Sequence, residues 1–272
     1  MSDMSASGDE DRWILLQRNS ADNYLLVVRS RLNSEISDFA EAHRVSAVIC
    51  DVHPEFVRDD GMTTCLDELH KLEDDIVAAL GETGKVAYHT ASVTGDGRRV
   101  IYIASEPSLL LETALSAVRS DHVNISIFTD FEFDVYRDFI TPTNLDIQLD
   151  GDRGVIANLE KNGDECVVPR KTDFWFYGAR SGLENLVSEL ARSSYVVDRW
   201  LDNPFGVVLA REMPVDFESF TEVTPELVRL AAAHNVTYDG WETFVIRPDE
   251  VRPTGDSSHS KSWLKNLFGR KQ

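Results

Sequence analysis

Cys50, His53, Cys65 and His70 are the residues whose types could build a zinc site, since thiolate and imidazole are the ligands that zinc prefers. Their placement argues against it. Cys50 and His53 end a β-like stretch, while Cys65 and His70 stand five apart at the start of a helical pattern. Five residues turn a helix by about 500°, which leaves the two side chains about 140° apart. Buried cysteines and surface histidines are the simpler use, and no metal or other cofactor is expected. Nucleophilic chemistry has no better footing, because no G-x-S-x-G elbow, phosphate loop, H-E-x-x-H helix or dinucleotide fingerprint is present. Acid neighbours such as Asp59 with Asp60, or Asp74 with Asp75, point in different directions on a helix and do not make a general acid and base.

Binding chemistry has better candidates. In Tyr238-Asp239-Gly240-Trp241-Glu242, the two aromatics suit either a core or an interface hot spot, and Asp239 with Gly240 reads as a turn from helix into strand. Arg170, Asp173 and Trp175 lie on a strand whose alternation puts Arg170, Thr172, Phe174 and Phe176 on one face. Lys171, Asp173, Trp175 and Tyr177 fall on the other. Only one of these faces can be core. A third candidate closes the chain: if helical, Trp263, Leu264, Leu267 and Phe268 share an arc of about 140° beside Lys261 and Lys265, an amphipathic anchor of about three turns.

The elements that must carry these residues fall into two similar sets. The 272 residues exceed one ordinary domain, and 42% apolar content is enough to build two cores. After a polar start over 1–12, expected to be disordered, Trp13–Gln17 and Tyr24–Arg29 read as a hairpin and Asn33–His43 as a helix. Val45–Val52 is β-like. Leu66, Leu69, Leu72, Ile76, Val77 and Leu80 define an amphipathic helix that Gly81 and Gly84 end. Val86–Val93 and Arg99–Ile103 form a hairpin over Gly95, Asp96 and Gly97. A helix over Pro107–Val118, capped by Ser105, and a strand Asn124–Phe128 complete βαββαβ.

Thr141–Asn144 is a break of turn formers, after which the order repeats: a helix at Asp152–Lys161, strand Lys171–Tyr177, and a helix through Leu183, Leu186, Val187 and Leu190. Strands Tyr195–Trp200 and Phe205–Arg211 follow. Thr224 and Pro225 predict a helix start, and Trp241–Arg247 a closing strand. The expected fold is α+β: two ferredoxin-like domains in tandem, over 13–142 and 145–247. A linker at 248–260 and a basic tail at 261–272 follow.

Composition narrows function. There are 47 acidic against 27 basic residues, a formal net charge of −20, which repels phosphate backbones and makes direct nucleic-acid binding unfavourable. Ser257–Gln272 holds four basic residues and no acid, so the remainder carries −24. Three cysteines are too few for a disulfide framework, and no apolar run is long enough to span a bilayer, so the chain is expected to be cytoplasmic with free thiols.

G-D-E-C-V-V-P-R-K-T-D-F-W-F-Y over Gly163–Tyr177, with Y-D-G-W-E-T-F-V-I over Tyr238–Ile246, resembles the regulator of ribonuclease E activity B family. The resemblance covers about 145–247 and implies a small acidic α+β protein that binds the scaffold part of ribonuclease E and lowers its activity without catalysis. The first half is similar to the bacterial domain family of unknown function numbered 695, through Trp13, the helix Leu66–Leu80, Phe133 and Tyr136 leading into Arg137–Ile140, and Pro142. The expectation is a non-catalytic acidic regulator whose partner is a basic protein region, on the resemblance that of a ribonuclease E-like enzyme. Contact would be made by Arg170, Asp173, Trp175, Tyr238, Asp239, Trp241 and Glu242. The alternatives are a metal-dependent hydrolase or nuclease and a membrane-surface adaptor that uses the tail.

Overall fold

The computed structural model describes residues 11–129 and 133–247. The amphipathic anchor of Trp263, Leu264, Leu267 and Phe268 and the expected disorder of residues 1–10 lie outside them. Asp11 and Arg12 do not fit the disordered start: Asp11 pairs with Arg31 at 2.6 Å, and the first strand already begins at Arg12.

The first unit runs β1 (Arg12–Asn19), β2 (Leu25–Leu32), α1 (Ser34–Ala42), β3 (Arg44–Val52), α2 (Leu66–Glu82), β4 (Ala87–Gly95), β5 (Arg98–Ser105), α3 (Leu111–Ala114), β6 (Val123–Phe128) and α4 (Phe133–Ile140). Its antiparallel sheet has the order β1-β2-β4-β5-β3-β6. The last four strands are the ferredoxin-like unit, and the β1–β2 hairpin extends its edge. Local chemistry accounts for most of the boundaries. Asn33 caps α1 by accepting the Ile36 N–H at 3.1 Å, and Asp96 (φ +52°) with Gly97 (φ +71°) makes the tight hairpin between β4 and β5.

Three expectations need correction here. Ser105 does not cap a helix, because it is the last residue of β5 and pairs there with Ala87 and Arg44. The helix after it shrinks to Leu111–Ala114. Gly81 lies inside α2, and Gly84 (φ +66°) comes just after the Thr83 C-cap. Both faces of this sheet are covered. Leu69, Leu72 and Ile76 of α2 pack on Val48, Cys50 and Ile101. Tyr136 and Phe139 of α4, with Ala40 of α1, pack on the opposite side among Val45, Ala104 and Val28.

The second unit runs α5 (Asn144–Lys161), β7 (Arg170–Gly178), α6 (Arg180–Leu190), β8 (Val196–Asp202), β9 (Phe205–Met213), α7 (Phe217–Ala233) and β10 (Val236–Glu242). The sheet order is β10-β7-β9-β8, all antiparallel, which repeats the ferredoxin-like arrangement of the first unit. Its core gathers Phe174, Phe176, Leu183, Leu186, Phe220 and Leu227 under α5, α6 and α7. Burying each of these side chains contributes about 1.5–3 kcal/mol.

Here too the elements start elsewhere than expected. α5 begins eight residues before Asp152, at a capping box in which Thr143 and Asp146 exchange side-chain and backbone bonds. α7 begins at Phe217, where Asp216 accepts the Ser219 N–H at 2.8 Å; Thr224 and Pro225 lie inside it. β10 ends at Glu242, so Trp241 is near its end and not its start. The turn from helix to strand is made by His234 and Asn235 (φ +52°).

α5 also touches the first sheet. Its Asp146 accepts two bonds from Arg18 at 2.9 and 3.0 Å. Asp150 accepts the Leu15 backbone N–H, and Arg153 donates to the Leu15 carbonyl, each at 3.3 Å. β1 is an edge strand, and these side chains occupy backbone groups that an edge leaves open. No helix of the described residues is long and apolar enough to cross a membrane.

Candidate functional site

The alternation read on β7 is the alternation observed: Arg170, Thr172, Phe174 and Phe176 are buried, while Lys171, Asp173, Trp175 and Tyr177 look outward. The proposed contact residues therefore separate into two groups.

Arg170, Tyr238 and Trp241 point inward, which corrects their reading as surface contacts. Arg170 makes a bidentate pair with Asp164, whose Oδ1 lies 2.8 Å from Nη2 and whose Oδ2 accepts from Nη1. Both side chains are essentially without exposure, at 0% and 1%. Arg170 also donates to the carbonyls of Val168 and Phe244, and Asp164 accepts the N–H groups of Cys166 and Ile246 at 2.8 and 2.7 Å. Burial opposes the charge on Asp164, but Arg170 and these N–H groups outweigh it and hold the carboxyl below its usual range.

Tyr238 and Trp241 are three apart and would face opposite sides of a regular strand. A bulge at Asp239 and Gly240 (φ +96°) turns both inward. Trp241 stacks on Phe220 with ring centres 4.2 Å apart, and its indole N–H donates to Asp152 Oδ1 at 2.8 Å. Thr224 donates to the other oxygen at 2.7 Å. These two bonds do not fully offset burial, which pushes the Asp152 carboxyl up to about 6.

Asp173, Trp175 and Glu242 lie on the face of the second sheet that no helix of the described residues covers. Asp239 is exposed at the bulge beside them. Register sets the layout: Glu242 pairs with Asp173, Asp173 with Ala210, and Trp175 with Val208, which pairs with Arg199. A bulge between Val197 and Arg199 sends both Asp198 and Arg199 to this face.

Lys171 Nζ sits 2.6 Å from Asp198 and 3.1 Å from Asp173. The Arg199 guanidinium lies 4.8 Å above the Trp175 ring, 2.5 Å from Asp198 and 3.8 Å from both Asp173 and Glu242. The hydrogen bond from Lys171 lowers the Asp198 carboxyl against its partial burial. Burial and the charge of Asp173 raise that of Glu242. Lys171, Asp198 and Arg199 were not singled out as site residues from sequence. The signal for Lys171 was its place in the outward set, whereas the bulge that aims the other two leaves no mark in residue types.

The first unit holds a Ser-His-Glu set, but not a nucleophilic one. Ser92 donates to Glu73 at 2.6 Å, so its proton is committed to the carboxylate, and His89 Nε2 meets Ser92 Oγ at 2.8 Å and the Ala91 carbonyl at 3.1 Å. A triad needs the histidine to accept from serine and the acid to hold the histidine. Glu73 instead joins Arg99 at 2.7 Å and Arg29 at 3.3 Å. Burial pushes His89 down to about 4 and Ser92 is 1% exposed, so the cluster is closed. Burial likewise pushes Cys50 up to about 12 and Cys166 to about 11, which leaves little thiolate. Among the described residues, no group of three His, Cys, Asp or Glu is placed to hold a metal ion.

The molecule is thus a tandem ferredoxin-like α+β protein, in which the described helices cover both faces of the first sheet and one face of the second. The family model described as Regulator of ribonuclease activity B matches residues 149–243, from within α5 to the residue after β10. No curated protein matches the sequence.

Proposed function

We propose that the protein regulates a ribonuclease by binding it, without catalysing a reaction itself, and that the second domain makes the contact. The observation that supports this best is the family match, which spans the whole second sheet, α6, α7 and most of α5. The charge of −20 supports a basic protein region as the target, where acidic side chains would compete with RNA for the same cations. The regulator would lower ribonuclease activity by occupying those sites.

The expected result of an affinity capture from nuclease-treated lysate at low salt is recovery of a ribonuclease or its scaffold. Most of that recovery should be lost at about 1 M salt, where screening shortens the reach of surface charges to about 3 Å. A recovered ribonuclease should also degrade RNA more slowly when the protein is added back. Recovery unchanged by salt would rule out the electrostatic contact, and a partner set without any ribonuclease would rule out the regulator reading.

A further inference from the structure

Among the described residues, the face of the second sheet that no described helix covers holds more carboxylates than cations. It gathers three carboxylates, Asp173, Asp198 and Glu242, around two cations, Lys171 and Arg199, and the exposed Asp239 adds another acid at its edge. Arg199 is within hydrogen-bond distance of Asp198 alone; Asp173 and Glu242 are too far from it at 3.8 Å. The Asp173 carboxylate is held, among the described residues, by Lys171 alone, whose Nζ lies 3.1 Å from Oδ1 without an aligned hydrogen bond and donates to Oδ2 at 3.4 Å. Asp173 thus relies on one ammonium that it shares with Asp198, and a further cation bearing several N–H groups would complete its pairing.

The face also displays the cation it suits. Arg199 lies over Trp175 as a guanidinium lies on an aromatic ring, at 4.8 Å, with carboxylates beside it. We infer that this face is the docking site for an arginine-rich segment of the protein partner, with Arg199 as a built-in competitor. An incoming guanidinium takes the place of Arg199 over Trp175 and donates to Asp173 and Glu242. Arginine is preferred to lysine because its planar fork stacks on the indole and reaches two carboxylates at once. Nucleic acid is a poor occupant despite the aromatic and basic residues, since three carboxylates face the phosphates it would bring. The inference rests on the reading of the protein as a partner-binding regulator and adds the residues and side-chain chemistry of the contact.

The test titrates the full chain with an oligoarginine and an oligolysine peptide of equal length, following the indole N–H resonance of Trp175 and the affinity. The arginine peptide should move that resonance and bind about two- to fivefold tighter than the lysine peptide. Trp175→Leu should equalise the two peptides, and Arg199→Ala should strengthen arginine binding more than lysine binding. An unmoved Trp175 resonance, or equal affinities in the unaltered protein, would overturn the proposal, and neither readout depends on a variant folding. If a ribonuclease is captured while Trp175 stays unmoved, the regulator reading stands and this docking face falls. If arginine-selective binding at Trp175 is seen and no ribonuclease is captured, the face stands and its owner is another basic protein.

Discussion

Asp164→Ala is expected to destabilise the protein by about 3–5 kcal/mol, the largest loss for any single residue considered, because it leaves a buried guanidinium without its counter-ion. Arg170 has no exposure, and its remaining acceptors, the carbonyls of Val168 and Phe244, carry only partial charge. The converse change, Arg170→Met, should cost less, since the Asp164 carboxylate keeps the N–H groups of Cys166 and Ile246. Urea unfolding followed by far-UV circular dichroism measures both, and a loss below about 1 kcal/mol for Asp164→Ala would show that water replaces the carboxylate. The same pair gives an acid limit. The folded-state carboxyl of Asp164 lies below its unfolded value of about 3.9, so its contribution is complete above that pH and is lost as pH falls through the folded value.

Asp152→Asn should act in the opposite direction. The Asp152 carboxyl is raised to about 6, above its unfolded value, so the folded protein binds the extra proton between about pH 4 and pH 6. Stability from this group therefore falls as pH rises through that window, by about 3 kcal/mol in total. Asparagine keeps an oxygen for the Trp241 N–H and can donate to Thr224 in return, without a charge to bury. The variant should be more stable than the unaltered protein by about 1–3 kcal/mol at pH 7.5 and should lose the slope between pH 4 and 6. Asp152→Ala should instead destabilise, because Trp241 and Thr224 are left with unpaired buried donors. Urea midpoints at pH 5 and pH 7.5 decide it, and an unchanged slope in Asp152→Asn would assign the proton elsewhere.

Periodicity made most of the architecture legible. The apolar set of α2, the alternation of β7 and the turn of Asp96 and Gly97 led to the right elements, and the repeated βαββαβ order led to two ferredoxin-like sheets. The failures have identifiable causes. Thr224 and Pro225 carry a genuine helix-start signature, but Asp216 caps earlier, and the threonine hydroxyl serves Asp152, 72 residues away in sequence. The first half of α5 is missed because Thr141–Asn144 reads as a break and the helix as starting at Asp152, whereas Thr143 caps it at once. The contact set divided because burial of Arg170 depends on Asp164, and the common facing of Tyr238 and Trp241 depends on the φ of Gly240. Spacing alone reports neither.

The helix α5 has a further consequence. One side of it is bonded to the edge of β1, while Ile156, Leu159 and Asp152 on the other belong to the core of the second sheet. The family match begins at residue 149, inside that helix, so a fragment cut there would lose the Thr143 cap and the partner of Arg18 and would bare the β1 edge on the remaining half. A second domain that keeps residues 143–148 is therefore expected to be more stable than one that starts at 149. What such a cut costs the first sheet is the cover that Asp150 and Arg153 give to the Leu15 backbone at its open edge.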